Sequence, residues 1–579
     1  MPNSLDLNRK SKPERAYLVL IFLFVVQYIL FKNFVLTEVS PYYPPNHDQA
    51  GYLALTYELH SQILAAGSFS AWITELIGWL FTPSPQGKLF QVMASIIFFF
   101  TGASRLSALM VNFISFIALQ ASFLYILRRI SGGFLVGYMG VGLILALSYP
   151  FFWAGNIYDF RIDFIAFCIY GIFTALLVGS ETFLNRRWVA FASFVGIVLV
   201  LTRHVTLVYI GSIYTILLIF ILLRYFLNGS YAYKRRAKAR IVNIILSIIS
   251  ILVVTAPVLI KSRAAIVDYY FVRHFTGVDK IRALDEMMAK GMINYLMYYP
   301  RSVVGHLGGI VTFIVIILLA LSVLLIFLRR PGLKRVDRRK RKPLKMPVFD
   351  KECFAFILLT ILIPLIIYTI DISKTPVVAG LVLPSIILLS LVVLLYSLKS
   401  YCLERGPDSS GAEMASAAVA IISILVLLLG FNYQVEKYTH PSYLSARDNN
   451  ATITEMYMDI GDYTMKHKIN RPHIVYDRMA DYFTDATITD IYYERNGIYI
   501  PIEIAVRTIE AYSEAKILGF FRGSDFVVFS KRRAGRTDFP YDEAMDKVRP
   551  RLKRLLTEEF KLLKKYRFNH TNYGLYVKK

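Results

Sequence analysis

The stretch Tyr43-Pro44-Pro45-Asn46-His47-Asp48-Gln49-Ala50-Gly51-Tyr52 follows the first long apolar run, where a chain leaving a membrane enters water. Pro44 and Pro45 end a helix and set a stiff turn. His47 and Asp48 come directly after it, and from Gln49 the apolar and aromatic spacing predicts a helix to Leu64. An acid held at a membrane surface by a rigid turn is a candidate catalytic group. Asp is also a good N-cap for the helix that follows.

Composition makes this a membrane protein. The 579 residues are 56% hydrophobic and only 18% charged, with a mean hydropathy of +0.50, and the charges gather between apolar runs. The net charge of +25 is therefore read as topology signal in short loops, not as a nucleic-acid surface. Cys168, Cys353 and Cys402 lie in or beside apolar runs, without metal-ligand spacing or a disulfide pattern. The run Ala16–Phe31 has no small-residue cleavage site after it and reads as a retained anchor.

The positive-inside rule orders the spans. Arg9, Lys10, Lys12 and Arg15 keep the N-terminus in the cytoplasm. Eleven spans are expected, at about 16–36, 106–127, 133–153, 163–180, 188–202, 206–227, 241–260, 304–328, 353–370, 376–397 and 414–431. Strongly basic loops then share one side: Arg128-Arg129, 234–240, and 329–345 with ten Lys or Arg. The segment 37–104 has Lys88 as its sole Lys or Arg and falls outside. It is expected to carry interfacial helices over Tyr52–Leu80, with Trp72 and Trp79 at headgroup depth, and a membrane-lying helix at Leu89–Phe100. Residues 1–431 form the membrane domain on this reading. Residues 432–579 form a small extracytoplasmic α/β domain, with strands at His473–Asp477, Asp525–Ser530 and Tyr573–Val577 and a helix at Pro540–Lys565.

The external turns gather ionisable residues on one face. They are Asn46-His47-Asp48, the turn with Asp159, Arg161 and Asp163, Arg203-His204, the loop with Asp268, Arg273 and His274, and Asp371–Lys374. The i, i+4 spacing of Asp159 and Asp163 predicts one helical face. Arg161 can pair with either as a structural bridge. Each cation alone could equally snorkel to phospholipid, but together they suit a transferase using a lipid-linked phosphate donor. Cations at headgroup depth stabilise a phosphate leaving group, and a carboxylate takes a proton from an acceptor hydroxyl or amine. No Walker or Gly-x-Gly-x-x-Gly loop is present for a soluble nucleotide sugar. The aromatics Tyr492, Tyr493 and Tyr499 read first as buried sheet residues.

In this order the motifs resemble the GT-C glycosyltransferases, in particular bacterial enzymes similar to aminoarabinose lipid A transferase and the protein O-mannosyltransferases. The matching residues, over about 40–400, are His47-Asp48-Gln49-Ala50-Gly51-Tyr52, Ser104-Arg105 through Leu109, and Tyr149-Pro150 through Tyr158-Asp159. Thr202-Arg203-His204, Asp268 through Arg273-His274-Phe275, and Ser373-Lys374-Thr375-Pro376 complete them. The chain departs from the pattern at Pro83-Ser-Pro85, where Gln-Gly-Lys follows instead of a His-Pro-Pro-like stretch. The resemblance implies an inverting hexosyl- or pentosyltransferase with a polyprenyl-phosphate-sugar donor. Its acceptor would be a glycolipid, glycan or protein on the outer face of the cell membrane. It implies Asp48 as base or acceptor-binding carboxylate, Asp159 as its partner, and Arg203, Arg273, His274 and Lys374 as donor-phosphate ligands. His47, Tyr52, Arg161, Asp163 and His204, in the same turns, complete the expected substrate-binding set. No cofactor is identified, and a divalent cation is left open. A transporter, or a polymerase or ligase of lipid-linked surface glycans, is the alternative, although charges at span ends suit surface chemistry better than transport. An inactive scaffold presenting the C-terminal domain is a third reading.

Overall fold

The computed structural model describes residues 13–44, 47–228, 230–273, 291–327, 351–371, 374–405, 410–440, 449–478, 483–505, 512–530, 540–568 and 570–579. Helix α1 (Pro13–Phe34) leads through a π-helical turn into the proline segment. Helices α2 (His47–Ala65), α3 (Phe69–Leu80) and α4 (Leu89–Thr101) follow. The long bundle is α5 (Arg105–Ser131), α6 (Leu135–Leu145), α7 (Ile162–Gly179), α8 (Arg186–Thr202), α9 (Thr206–Leu227) and α10 (Tyr231–Val267). It continues with α11 (Met292–Phe327, broken at Gly308), α12 (Lys351–Ile370), α13 (Leu383–Arg405) and α14 (Ser410–Thr439).

Among the described residues, nine helices are long and apolar enough to cross a membrane. The sequence had suggested eleven. The two that fall short are α6, which stops at Leu145 ahead of the Pro150 turn, and α8, which has 17 residues. The 329–345 loop lies outside the described residues.

Helix α7 is the axis of the bundle: its span is almost wholly buried, between α5, α8 and α13. Gly171 allows this, because a Cβ there would stand 2.5 Å from Leu119 and 2.7 Å from Pro384. Helices α6 and α14 meet at backbone distance in the same way, since a Cβ on Gly142 would lie 2.5 Å from the Val426 carbonyl.

The C-terminal region is a three-layer α/β/α unit. It comprises α15 (Asn450–His467), β1 (His473–Tyr476), α16 (Asp485–Asn496), β2 (Glu503–Ile504), α17 (Glu514–Gly523), β3 (Phe526–Ser530), α18 (Pro540–Glu559), β4 (Phe560–Phe568) and β5 (Thr571–Lys578). The strand order is β2-β1-β3-β5-β4, with β1 parallel to β2 and β3, and β5 antiparallel to β3 and β4. Alternation along β3 feeds two cores. Phe526 and Val528 pack with α15 and α16, and Val527 and Phe529 with α17 and α18.

The expected helix to Lys565 ends early. Phe560–Phe568 pairs with β5, and this pairing overrides the helix propensity of its Lys and Leu residues. Tyr492 and Tyr493 lie on helix α16, not in the sheet.

Candidate functional site

Asp48 sits in the first turn of α2, a position that favours a carboxylate. It is not the cap residue, because the helix already includes His47. Its side chain is 53% exposed, and Oδ2 pairs with Arg161 at 2.7 Å. Gln49 pins the same turn by donating to the Tyr158 carbonyl at 3.1 Å.

The turn that supplies Arg161 is built by buried amides. The Asn156 side chain accepts from the Tyr158 N–H at 2.8 Å. Asn112, buried in α5, donates to the carbonyls of Ile157 and Asp159 at 3.1 and 2.9 Å. Asp159 therefore lies in the turn, ahead of α7, which begins at Ile162. Asp159 and Asp163 do not share a helical face. Arg161 bridges instead from Asp48 to Asp163, whose Oδ2 is 3.6 Å away. Asp163 in turn binds Arg203 at 2.5 Å. The result is a chain of alternating charge: Asp48, Arg161, Asp163, Arg203.

Burial sets the protonation states. It lifts the Asp159 carboxyl to about 7, although Arg161 and the Gly155 N–H oppose it; Asp163 and Asp48 push it further up. That N–H donates to Asp159 Oδ2 at 2.7 Å, whereas Oδ1 is buried without a protein hydrogen-bond partner. Burial works against the Arg161 and Arg203 charges, but Asp163 outweighs it and holds both pKa values above the ordinary range. The Nε atoms of both arginines are buried without hydrogen-bond partners, as are both ring nitrogens of His204. Burial pulls His204 down to about 4, so its ring is neutral at pH 7. Burial and the Asp48 carboxylate raise the Tyr52 phenol, one turn along α2.

The other expected residues have partners outside this charge chain. Arg273 pairs with Asp268 at 2.9 Å, half exposed. The Lys374 ammonium donates to the carbonyls of Tyr368 and Thr369, both at 2.7 Å, and to that of Asp371, closing the end of α12. It also stands 4.3 Å from the Tyr295 ring centroid, and burial lowers its pKa to about 8. An aromatic series, Tyr299–Tyr368–Tyr209, runs from Lys374 toward Arg203. The His47 side chain and His274 lie outside the described residues. Among the described residues no three His, Cys, Asp or Glu gather to hold a metal ion.

No protein-family model matches the chain, and no curated protein matches it. Solved structures do. The crystal structure of ArnT from Cupriavidus metallidurans in the apo state aligns with a TM-score of 0.53 at 10% identity, covering 98% of both chains. The fold is that of ArnT. ArnT bound to undecaprenyl phosphate gives the same TM-score of 0.53 at 12% identity, covering 96% of this chain and 97% of that one. An Archaeoglobus fulgidus oligosaccharyltransferase fits more loosely, with a TM-score of 0.48 at 11% identity over 88% of this chain and 68% of its own, too little to argue from. The ArnT likeness runs through the C-terminal region, for which the sequence motifs had offered no counterpart.

Sequence reasoning missed Asn112 and Gln49, which shape the site. An Asn in the apolar run of α5 was a usable signal, since a polar residue in a span usually has a partner.

Proposed function

We propose that this protein is an integral membrane glycosyltransferase that moves a sugar from a polyprenyl-phosphate donor to an acceptor on the extracytoplasmic face. The observation that carries the reading is the charge chain ending in an exposed carboxylate. Asp48 faces solvent while its partner Arg161 is tied into a buried network with Asp163 and Arg203. The ArnT fold supports it, because ArnT has been captured with undecaprenyl phosphate.

In the proposed reaction the Asp48 carboxylate takes the proton from an acceptor hydroxyl or amine. The freed electron pair attacks the anomeric carbon, and the bond from that carbon to the donor phosphate breaks. The phosphate leaves with that electron pair and is stabilised by the guanidinium charges of Arg203 and Arg161. Asp159, when ionised, adds to the field that holds the Arg161 charge. Arg273 and the charge of Lys374, whose three N–H donors are taken by carbonyls at the end of α12, would draw in the prenyl-phosphate headgroup.

Asp48→Asn in proteoliposomes should cut transfer from a polyprenyl-phosphate sugar by about 10²–10⁴-fold, with insertion and donor binding retained. Full turnover in that variant would remove Asp48 as the base. The same reading has the N-terminus in the cytoplasm and 432–579 outside. A tag after Lys579 should then react with an impermeant reagent added to intact cells, and labelling only after lysis would reverse the orientation.

A further inference from the structure

The segment that carries Asp48 is held from the C-terminal region on both sides. Ahead of it, Arg105 is 1% exposed and donates through one terminal nitrogen to the carbonyls of Val39, at 3.1 Å, and Tyr42. Its Nε and other terminal nitrogen donate to Glu494 of α16 at 3.3 and 3.4 Å. Asn450, at the start of α15, accepts from the Tyr43 N–H at 2.9 Å and donates to the Pro41 carbonyl at 2.8 Å. The Tyr43 ring is buried in the core of the C-terminal region.

Behind Asp48, the Tyr57 hydroxyl donates to Glu494 at 2.8 Å, and its ring stacks on Tyr493 at 4.6 Å. His60 Nδ1 hydrogen-bonds the Tyr493 hydroxyl at 2.8 Å. Glu494 is the common point. Through Arg105 it reaches the chain before Asp48, and through Tyr57 it reaches the helix after it.

We propose that Glu494 and Asn450 are positioning residues, by which the C-terminal domain fixes the approach of the Asp48 carboxylate to substrate. The proposal rests on Asp48 being the base. Residues 41–44 form an irregular connection, and such a connection moves at little cost unless both its ends are tied. A displacement of about 1 Å at a reacting group costs about 10²-fold in rate. A buried guanidinium that loses its carboxylate also gives up its fixed geometry, and here that geometry is what holds the carbonyls of Val39 and Tyr42. The Asn450-Ala-Thr triplet has the form of a glycosylation site. Both polar atoms of its side chain are engaged in the tie, so its structural use is the clamp.

The test uses the full-length protein and the variants Glu494→Gln, Glu494→Asp and Asn450→Ala. Amide hydrogen exchange over 39–60 is read alongside transfer kinetics with a polyprenyl-phosphate sugar. Glu494→Gln should speed exchange over 39–52 by about tenfold and lower kcat by about 10–100-fold, with KM for the donor unchanged. Glu494→Asp should recover part of both. Asn450→Ala, the milder change, should act on the Tyr43 amide first and stands in if Glu494→Gln does not fold. Unchanged exchange over 39–52 in the folded variants overturns the proposal, and so does faster exchange with wild-type kcat. If Asp48→Asn retains turnover, the base assignment fails, while the exchange measurement still decides whether the clamp exists.

Discussion

Helices α9 and α12 pack antiparallel, and a buried ion cluster lies toward each end of the pair, about 30 Å apart. At one end Glu352, fully buried, is met by Arg224, by Arg240 at 3.4 Å and by the Tyr233 hydroxyl at 2.7 Å. Arg240 uses its remaining donors on the carbonyls of Thr182 and Glu181. At the other end Arg203 and Arg161 share Asp163, and each keeps a buried Nε–H without a hydrogen-bond partner. Both clusters leave a buried polar atom without a hydrogen-bond partner, Glu352 Oε2 in the first and the two arginine Nε atoms in the second. They differ in exposure: the acid of the first is wholly buried, whereas the second reaches solvent through the half-exposed Asp48. On the proposed function the first is a structural lock and the second a working site.

That contrast can be broken experimentally. Glu352→Ala strands two guanidinium groups and should cost about 3–5 kcal/mol of stability, read as a lowered Tm in detergent, with the kcat of the folded fraction unchanged. Loss of turnover at an unchanged Tm would make this cluster functional and erase the distinction.

Asp159 gives a smaller, pH-dependent effect. Its folded pKa of about 7 lies above the unfolded value of about 3.9. Between these values the native carboxyl holds a proton that the unfolded chain has released. Stability should therefore fall as pH rises from about 4 to about 7, by at most about 1.4 kcal/mol per pH unit. Asp159→Asn should remove that slope, and identical Tm profiles for the two proteins would contradict the assignment. The smallest effect is expected at Lys374. Lys374→Met loses a cation at the α12 carbonyls and should cost about 1 kcal/mol, again by Tm.

Much of the helical bundle was legible because apolar runs and basic loops are local signals. The helix after Pro45, the paired helices meeting at Thr202-Arg203-His204 and the strands around His473 and Phe526 all appear where expected. The site was legible as a set of turns, not as a set of bonds. Asp159 and Asp163 have helical spacing, but the helix starts between them; Arg161 does pair with Asp163 as expected, and its shorter ion pair is with Asp48 from another turn. Glu494 gave no warning at all, since its Arg105 partner is 389 positions away in sequence. Strand β4 was hidden for a similar reason, because its Lys and Leu residues favour a helix until β5 supplies a pairing edge.

Where the donor phosphate binds separates the two ion clusters most directly. A structure of the protein with polyprenyl phosphate should show the phosphate within about 3 Å of the Arg203 and Arg161 guanidinium groups, with the Asp48 carboxylate open to the acceptor side. A phosphate seated at the Glu352 end, or one leaving both arginines untouched, would contradict it.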